Sequence, residues 1–201
     1  MNVGLIDYGR GNLRSVEKAL ERVGARVQRF QNGNFDGAEA LVLPGVGAFG
    51  DAMRNLEERG LIEPIKKWLR EGRPFLGICL GYQLLFERSE ESPNVAGLGH
   101  LPGAVVRFPS TVGKVPHMGW NEVQWHNERL RAELPNPSFF YHVHSYYPPL
   151  VAPEWKVCET EYNGVRFVSG IGKGKIWAFQ FHPEKSQENG RKLLAFFMKQ
   201  L

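Results

Sequence analysis

A cysteine, a histidine and a glutamate in this 201-residue chain could together carry out acyl transfer. The cysteine lies in Gly77-Ile78-Cys79-Leu80-Gly81, which has the G-x-nucleophile-x-G form of a nucleophile elbow with cysteine in the serine position. The apolar residues before it predict a buried strand, and Leu80 to Phe86 predict a helix. Glycine on either side permits a sharp turn where a side chain would clash. Such a turn lifts the thiol out of the sheet to a helix N-terminus, where the dipole favours the thiolate. The competing reading is an inert buried cysteine, a common state for a free thiol.

The other two groups sit in His182-Pro183-Glu184, at the end of a run from Lys175 to Phe181 with bulky apolar residues on alternate positions. Proline pushes the preceding His182 into extended backbone. Residues two apart in an extended chain point the same way, so Glu184 is expected beside His182. There it would orient the ring and stabilise the imidazolium while His182 takes the thiol proton. Alone, His-Pro-Glu is a strand-ending turn; its meaning comes from the cysteine elbow a hundred residues earlier. A glycine-rich strand-to-helix loop, Pro44-Gly45-Val46-Gly47-Ala48-Phe49-Gly50, exposes backbone N–H groups that can serve as an oxyanion hole or anion site. Nucleophile, base, orienter and N–H donors make the set required for acyl transfer through a thioester.

These groups need a scaffold that brings them to one edge. Val3 to Asp7, Arg26 to Phe30 and Ala40 to Leu43 read as strands. Helical spacing covers Ser15 to Val23, the stretch through Asp51, Leu56 and Leu61, and Ile62 to Arg70, closed by Gly72. The Tyr8 to Asn12 loop suggests a dinucleotide fingerprint, but Arg14 occupies the third glycine position, so a plain glycine turn is the better reading. The alternation predicts an α/β fold: a flavodoxin-like, doubly wound, mostly parallel sheet with helices on both faces. Ligands of such sheets sit beyond the carboxyl ends of the strands, where loops 8–12 and 44–50 and the elbow would converge.

Beyond Glu87 the pattern changes to short β runs (Val105 to Phe108, Glu122 to Trp125, Phe139 to Val143) separated by proline and glycine. Asn163-Gly164 between Trp155–Tyr162 and Val165–Ser169 is a type I′ hairpin signal. The second half therefore adds an antiparallel β region, and a last helix over Gly190 to Leu201 puts Leu193, Leu194, Phe197 and Leu201 on one face. With no repeat, low-complexity tract or linker, residues 1–201 read as a single domain.

Composition narrows the function classes. Hydrophobic residues at 42% and charged residues at 23% are ordinary for a soluble protein. The net charge of +4 comes from 25 basic residues scattered among 21 acids, which argues against nucleic-acid binding. No apolar run approaches a membrane span. The N-terminus lacks a basic region and meets Asp7 too early for a signal peptide. Cys79 and Cys158 cannot build a disulfide framework and suit a reducing compartment, so the expected location is cytoplasmic.

Gly77-Ile78-Cys79-Leu80-Gly81-Tyr82-Gln83 with His182-Pro183-Glu184 resembles the class I (triad) glutamine amidotransferase family. Three further stretches resemble the branch that serves imidazole glycerol phosphate synthase: Asp7 to Leu13, Lys114 to Asn121, and His182 to Ser186. The likeness extends through Pro44-Gly45-Val46-Gly47 and Val143-His144-Ser145-Tyr146, while Tyr82 and His142 depart from the methionine and phenylalanine more usual there. The resemblance implies hydrolysis of glutamine to glutamate and ammonia, with Cys79 as nucleophile, His182 as base and acid, and Glu184 as orienter. It implies that N–H groups of Val46 and Leu80, in a loop opened by Gly45, hold the oxyanion. Gly47, Gln83 and the backbone of His144, Ser145 and Tyr146 would hold the glutamine ends. It also implies a separate (βα)₈-barrel cyclase subunit that receives the ammonia in histidine biosynthesis, with Asn12, Met118, Trp120, Tyr141 and Lys185 facing it. No metal or organic cofactor is implied. Two rivals stay open: a glutaminase feeding anthranilate, aminodeoxychorismate or GMP synthesis, and a non-enzymatic flavodoxin-like binding module with Cys79 structural or redox-sensing.

Overall fold

Strands form where apolar residues run without interruption, and helices where they recur every third or fourth position. The computed structural model describes residues 1–200. Its first half alternates β1 (Asn2–Ile6), α1 (Leu13–Arg22), β2 (Arg26–Phe30), β3 (Ala40–Gly45), α2 (Phe49–Glu58), α3 (Ile62–Arg70), β4 (Phe75–Cys79) and α4 (Leu80–Gln83). The second half holds β5 (Phe86–Ser89), β6 (Leu101–Arg107), β7 (His117–Trp125), α5 (Glu128–Glu133), β8 (Ser138–His144) and β9 (Tyr146–Tyr147). The hairpin β10 (Lys156–Tyr162) and β11 (Val165–Lys173) follows, then β12 (Ile176–Phe179) and α6 (Gln187–Met198).

A nine-stranded sheet runs in the order β2-β1-β3-β4-β12-β11-β10-β7-β8, and β5-β6-β9 form a second, three-stranded sheet. Pairing is parallel from β2 to β12 and antiparallel from β12 to β8. Alternation along the central strands divides the core into two layers. Leu41, Leu43 and Phe75 meet Leu56, Ile65 and Trp68 of α2 and α3 on one face. Leu5, Val42 and Leu76 meet Val16 and Leu20 of α1 and Leu193 and Phe197 of α6 on the other. The expected α/β architecture, with helices on both faces and an antiparallel extension, is the one formed.

Differences lie at element ends. The helix after the elbow stops at Gln83 rather than reaching Phe86, which instead opens β5. Backbone N–H groups of Leu98 and Leu101 take the carbonyls of Leu84 and Leu85 at 2.8 and 2.9 Å, drawing the chain out of the helix. The stretch from Asp51 to Leu61 is likewise broken, because Gly60 turns with φ 64° after α2. Strand β7 starts five residues before the expected Glu122, so His117, Met118, Gly119, Trp120 and Asn121 lie on it. At the hairpin, Asn163 and Gly164 have φ 47° and 84°, both positive as type I′ requires. Leu201 lies outside the described residues; Leu193, Leu194 and Phe197 are buried as expected.

Candidate active site

Cys79 ends β4 and caps α4 with φ 53° and ψ −108°, a conformation L-residues rarely hold. Such backbone stores on the order of 1–3 kcal/mol of strain and persists only where its surroundings enforce it. Here β4 is clamped between the parallel neighbours β3 and β12. The elbow glycines serve close approach rather than the turn itself, which corrects the expectation. A Cβ on Gly81 would lie 1.8 Å from the Leu43 carbonyl oxygen, and one on Gly77 would lie 2.9 Å from that of Gly81. Cys79 itself takes the positive φ. Because α4 is only four residues long, its dipole is weak, and the ring of His182 matters more to the sulfur.

His182 arrives beside Cys79 because β12 pairs in parallel with β4, setting Phe179 opposite Ile78. Its backbone N–H donates to Tyr141 O at 2.9 Å, and its carbonyl accepts from Ser186 Oγ at 2.6 Å. His182 is extended, as the following proline demands, but Pro183–Lys185 form a 3₁₀ turn. Glu184 therefore reaches the ring through a turn and not along an extended chain, a correction to the reason though not to the contact. His182 Nδ1 lies 2.7 Å from Glu184 Oε1. Burial alone would lower the pKa of His182; the Cys79 sulfur and the Glu184 carboxylate outweigh it and raise the value to about 10. At neutral pH the ring is thus an imidazolium, with Nδ1–H given to Glu184. Its Nε2 is buried without a hydrogen-bond partner of ordinary geometry among the described residues, leaving it for the sulfur or a reacting group.

A cavity of about 380 Å³ opens over the thiol, lined by Cys79, Leu80, Gln83, Val46 and Gly47, and on its far side by Val143, His144, Ser145 and Tyr146. The topology thus brings together the expected nucleophile, oxyanion loop and glutamine-contact residues. Gly45 lies beneath, where a Cβ would meet Leu80 Cβ and Tyr8 Oη at 2.7 Å each. Gly47 has φ 98°, open to glycine and strained for other residues.

Behind this cavity the expected residues join a polar network with Gln180, which sequence did not single out. The Tyr146 carbonyl, which can only accept, lies 2.9 Å from Gln83 Nε2 and 2.9 Å from His144 Nδ1. Those contacts fix Gln83 with its amide nitrogen inward and put the His144 proton on Nδ1. Gln83 Nε2 also donates to Gln180 Oε1 at 3.0 Å, so the Gln180 nitrogen faces Cys79 Sγ, 3.9 Å away. On the other side, Asn121 Nδ2 donates to the Glu161 carbonyl at 2.8 Å and approaches His117 Nε2 at 3.2 Å. His117 is thereby protonated on Nδ1, which points to His144 Nε2 at 3.1 Å. One polar network runs from Asn121 to the sulfur, and each donor's identity follows from groups that can only accept.

Residues 4–201 match the family described as glutamine amidotransferase class-I. The chain belongs to the class I glutamine amidotransferase family. It is 49% identical over 201 residues to the imidazole glycerol phosphate synthase subunit HisH of Desulfitobacterium hafniense (strain DSM 10664 / DCB-2), covering 98% of this chain and 93% of that protein. It is 50% identical over 205 residues to the subunit of the same name from Aquifex aeolicus (strain VF5), covering 99% and 97%. A glutamine amidotransferase crystal structure superposes with a TM-score of 0.78 at 19% identity, covering 98% of this chain and 97% of that one, a likeness of fold.

Within this amidotransferase, the five residues expected at a partner surface are at or near solvent. Met118 and Trp120 are 57% and 46% exposed on one face of β7. Trp120 packs edge-on against its cross-strand neighbour Tyr141, centroids 6.3 Å apart, and Lys185 Nζ stands 5.6 Å from the Tyr141 ring. Asn12 is exposed at the start of α1, which packs beside the Pro183–Lys185 turn. Lys185 does not lie opposite Glu184 on extended chain, as expected; the 3₁₀ turn directs it to Tyr141.

Three buried histidines, His117, His142 and His144, bring ring nitrogens within 4.8 Å of one another. Burial lowers the pKa of His117 to about 4 and of His144 to about 3, and takes His142 well down, so all three are neutral at pH 7. Their geometry does not suit a metal ion. His117 and His142 stack at 4.5 Å with 22° between planes, so their in-plane lone pairs run nearly side by side. They cannot meet on one ion at the roughly 2.0–2.1 Å that zinc requires.

Proposed function

We propose that the chain is the glutaminase subunit of an imidazole glycerol phosphate synthase, supplying ammonia to a (βα)₈-barrel cyclase subunit in histidine biosynthesis. The observation that carries the reading is Cys79 at the floor of a cavity rimmed by a glycine-rich loop, with His182 against its sulfur and Glu184 on the ring of His182. Near-full-length identity to HisH subunits supports the acceptor.

Glutamine enters with its side-chain amide over Cys79 and its α-amino and carboxylate ends toward Gly47, Gln83 and the His144 to Tyr146 backbone. The sulfur attacks the amide carbon, and the oxyanion falls to the N–H groups of Val46 and Leu80. His182, already an imidazolium, gives its Nε2 proton to the departing nitrogen, so ammonia leaves and a γ-glutamyl thioester remains. The now neutral ring takes a proton from water, hydroxide adds to the thioester, and glutamate departs as the sulfur is restored. Glu184 keeps Nε2 aimed throughout. No metal or organic cofactor has a role in this scheme, and the whole cycle suits the cytoplasm.

The face of Met118, Trp120, Tyr141, Lys185 and Asn12 would seat the barrel beside the thioester. Full stimulation of glutamine hydrolysis by the barrel subunit and its ribotide ligand is expected of the wild-type chain, and weakened stimulation of Lys185→Ala. Titrating each chain with purified barrel subunit while measuring glutamate tests this. High glutaminase activity in the isolated wild-type chain, or unchanged stimulation of Lys185→Ala, would overturn the coupling.

A further inference from the structure

We infer that Gln180 is a positioning residue for the nucleophile, its amide N–H turned permanently toward the Cys79 sulfur to hold negative charge there. The inference rests on the reading of Cys79 as the attacking group. Gln180 follows β12 with its backbone N–H bonded to Ser169 O at 2.9 Å, and the residue is completely buried. A buried primary amide is costly unless its polar atoms are matched, so its contacts define its role.

Those contacts leave no freedom in orientation. The Tyr146 carbonyl has no proton to give, so the Gln83 group 2.9 Å from it is the amide nitrogen. The same nitrogen lies 3.0 Å from Gln180, which must present oxygen to it. The Gln180 nitrogen is then left facing Sγ at 3.9 Å. That separation is long for a bond to a neutral thiol, and such bonds shorten and strengthen as their acceptor becomes an anion. A flipped amide would set oxygen against sulfur and nitrogen against nitrogen, losing both contacts. Gln83 is therefore part of the same device, with its oxygen and not its nitrogen available to the cavity.

The charge held on sulfur is needed at two moments: before attack, and again when the thioester breaks and the sulfur leaves. A donor fixed in place serves both without rearrangement.

The test is the pH dependence of Cys79 carbamidomethylation by iodoacetamide in the full chain, followed by peptide mass spectrometry without glutamine or partner. Gln180→Met keeps the volume and removes the donor. Its acid limb is expected to move up by about one pH unit, giving about tenfold slower labelling at a fixed pH on that limb. The alkaline plateau should stay where it is, because access to the sulfur is unchanged. A packing role would instead move the plateau or the near-ultraviolet circular dichroism and leave the limb in place. Gln83→Leu, which frees the Gln180 amide to turn, should shift the limb in the same direction by less, and it decides the matter if Gln180→Met does not fold. An unmoved limb in a natively folded variant overturns the inference. Wild-type labelling no faster at Cys79 than at Cys158 would instead overturn the nucleophile reading beneath it.

Discussion

His182 Nδ1 lies 2.7 Å from Glu184 Oε1, with the two side chains only 2% and 3% exposed. Among the described residues Glu184 Oε2 has no hydrogen-bond partner, so the carboxylate serves the ring. Glu184→Gln keeps the shape and removes the charge, while His182→Ala removes the imidazole that carries the proton at the sulfur. Partner-stimulated glutaminase turnover should fall by roughly ten- to ten-thousand-fold in Glu184→Gln and further in His182→Ala. Synthesis from added ammonia should survive in both, since on the proposed function that chemistry belongs to the barrel subunit. Loss of the ammonia reaction would contradict the assignment.

His182, raised first by the Cys79 sulfur and then by Glu184, sets a pH window for stability to which Glu184 contributes a part. His182 is held up at about 10 in the fold against 6.5 in its absence, so the stability it adds is complete below pH 6.5. It is lost as pH rises from there toward 10. The stability difference between wild type and Glu184→Gln, measured by urea unfolding, should therefore shrink across that interval. A difference that grows with pH would refute the linkage.

The buried histidines act in the opposite sense. His117, His142 and His144 have pKa values below 6.5 in the fold, so the unfolded chain binds more protons once pH drops under 6.5. Stability should decline from there with a slope of up to about 4 kcal/mol per pH unit, each ring contributing at most about a third. Among the described residues His142 Nε2 has no hydrogen-bond partner, and the ring already packs against Phe167 and Phe181. His142→Phe should flatten the acid slope by up to one proton's share and raise the urea midpoint at pH 5. An unchanged slope would show that His142 takes up no proton on unfolding.

The two thiols should separate cleanly. Cys158 is fully buried, and burial pushes its thiol well above the ordinary range. A glutamine-analogue diazoketone should label Cys79 in the partner complex and leave Cys158 intact, read by peptide mass. Labelling of Cys158 alone, or full turnover in Cys79→Ala, would remove the catalytic reading.

Gly81→Ala should be among the most damaging single-methyl additions. Its Cβ would sit 1.8 Å from the Leu43 carbonyl oxygen, a backbone atom of the central sheet that cannot move aside cheaply. Overpacking of this kind costs typically about 1–3 kcal/mol and sometimes more. A urea midpoint equal to wild type would show that the elbow is less tightly clamped than the structure has it.

Residue types and spacing were enough to mark the candidate groups. The elbow around Cys79, the His182-Pro183-Glu184 turn and the glycine loop at Gly45 to Gly47 are local patterns, each written within a few consecutive positions. The α/β architecture was legible for a related reason, since buried parallel strands and amphipathic helices have different apolar periods. Tertiary structure decided what depends on partners distant in sequence. The helix after Cys79 ends at Gln83 because Leu98 and Leu101 claim the carbonyls of Leu84 and Leu85 that would have continued it. Gly81 is required by Leu43, and Glu184 meets His182 by a 3₁₀ turn docked on α6, where a Cβ on Gly190 would lie 1.9 Å from the Pro183 carbonyl oxygen. Above all, Gln180 carried no signal in sequence. A glutamine just past a strand is chemically mute until Gln83, 97 positions away, fixes which end of its amide faces the sulfur.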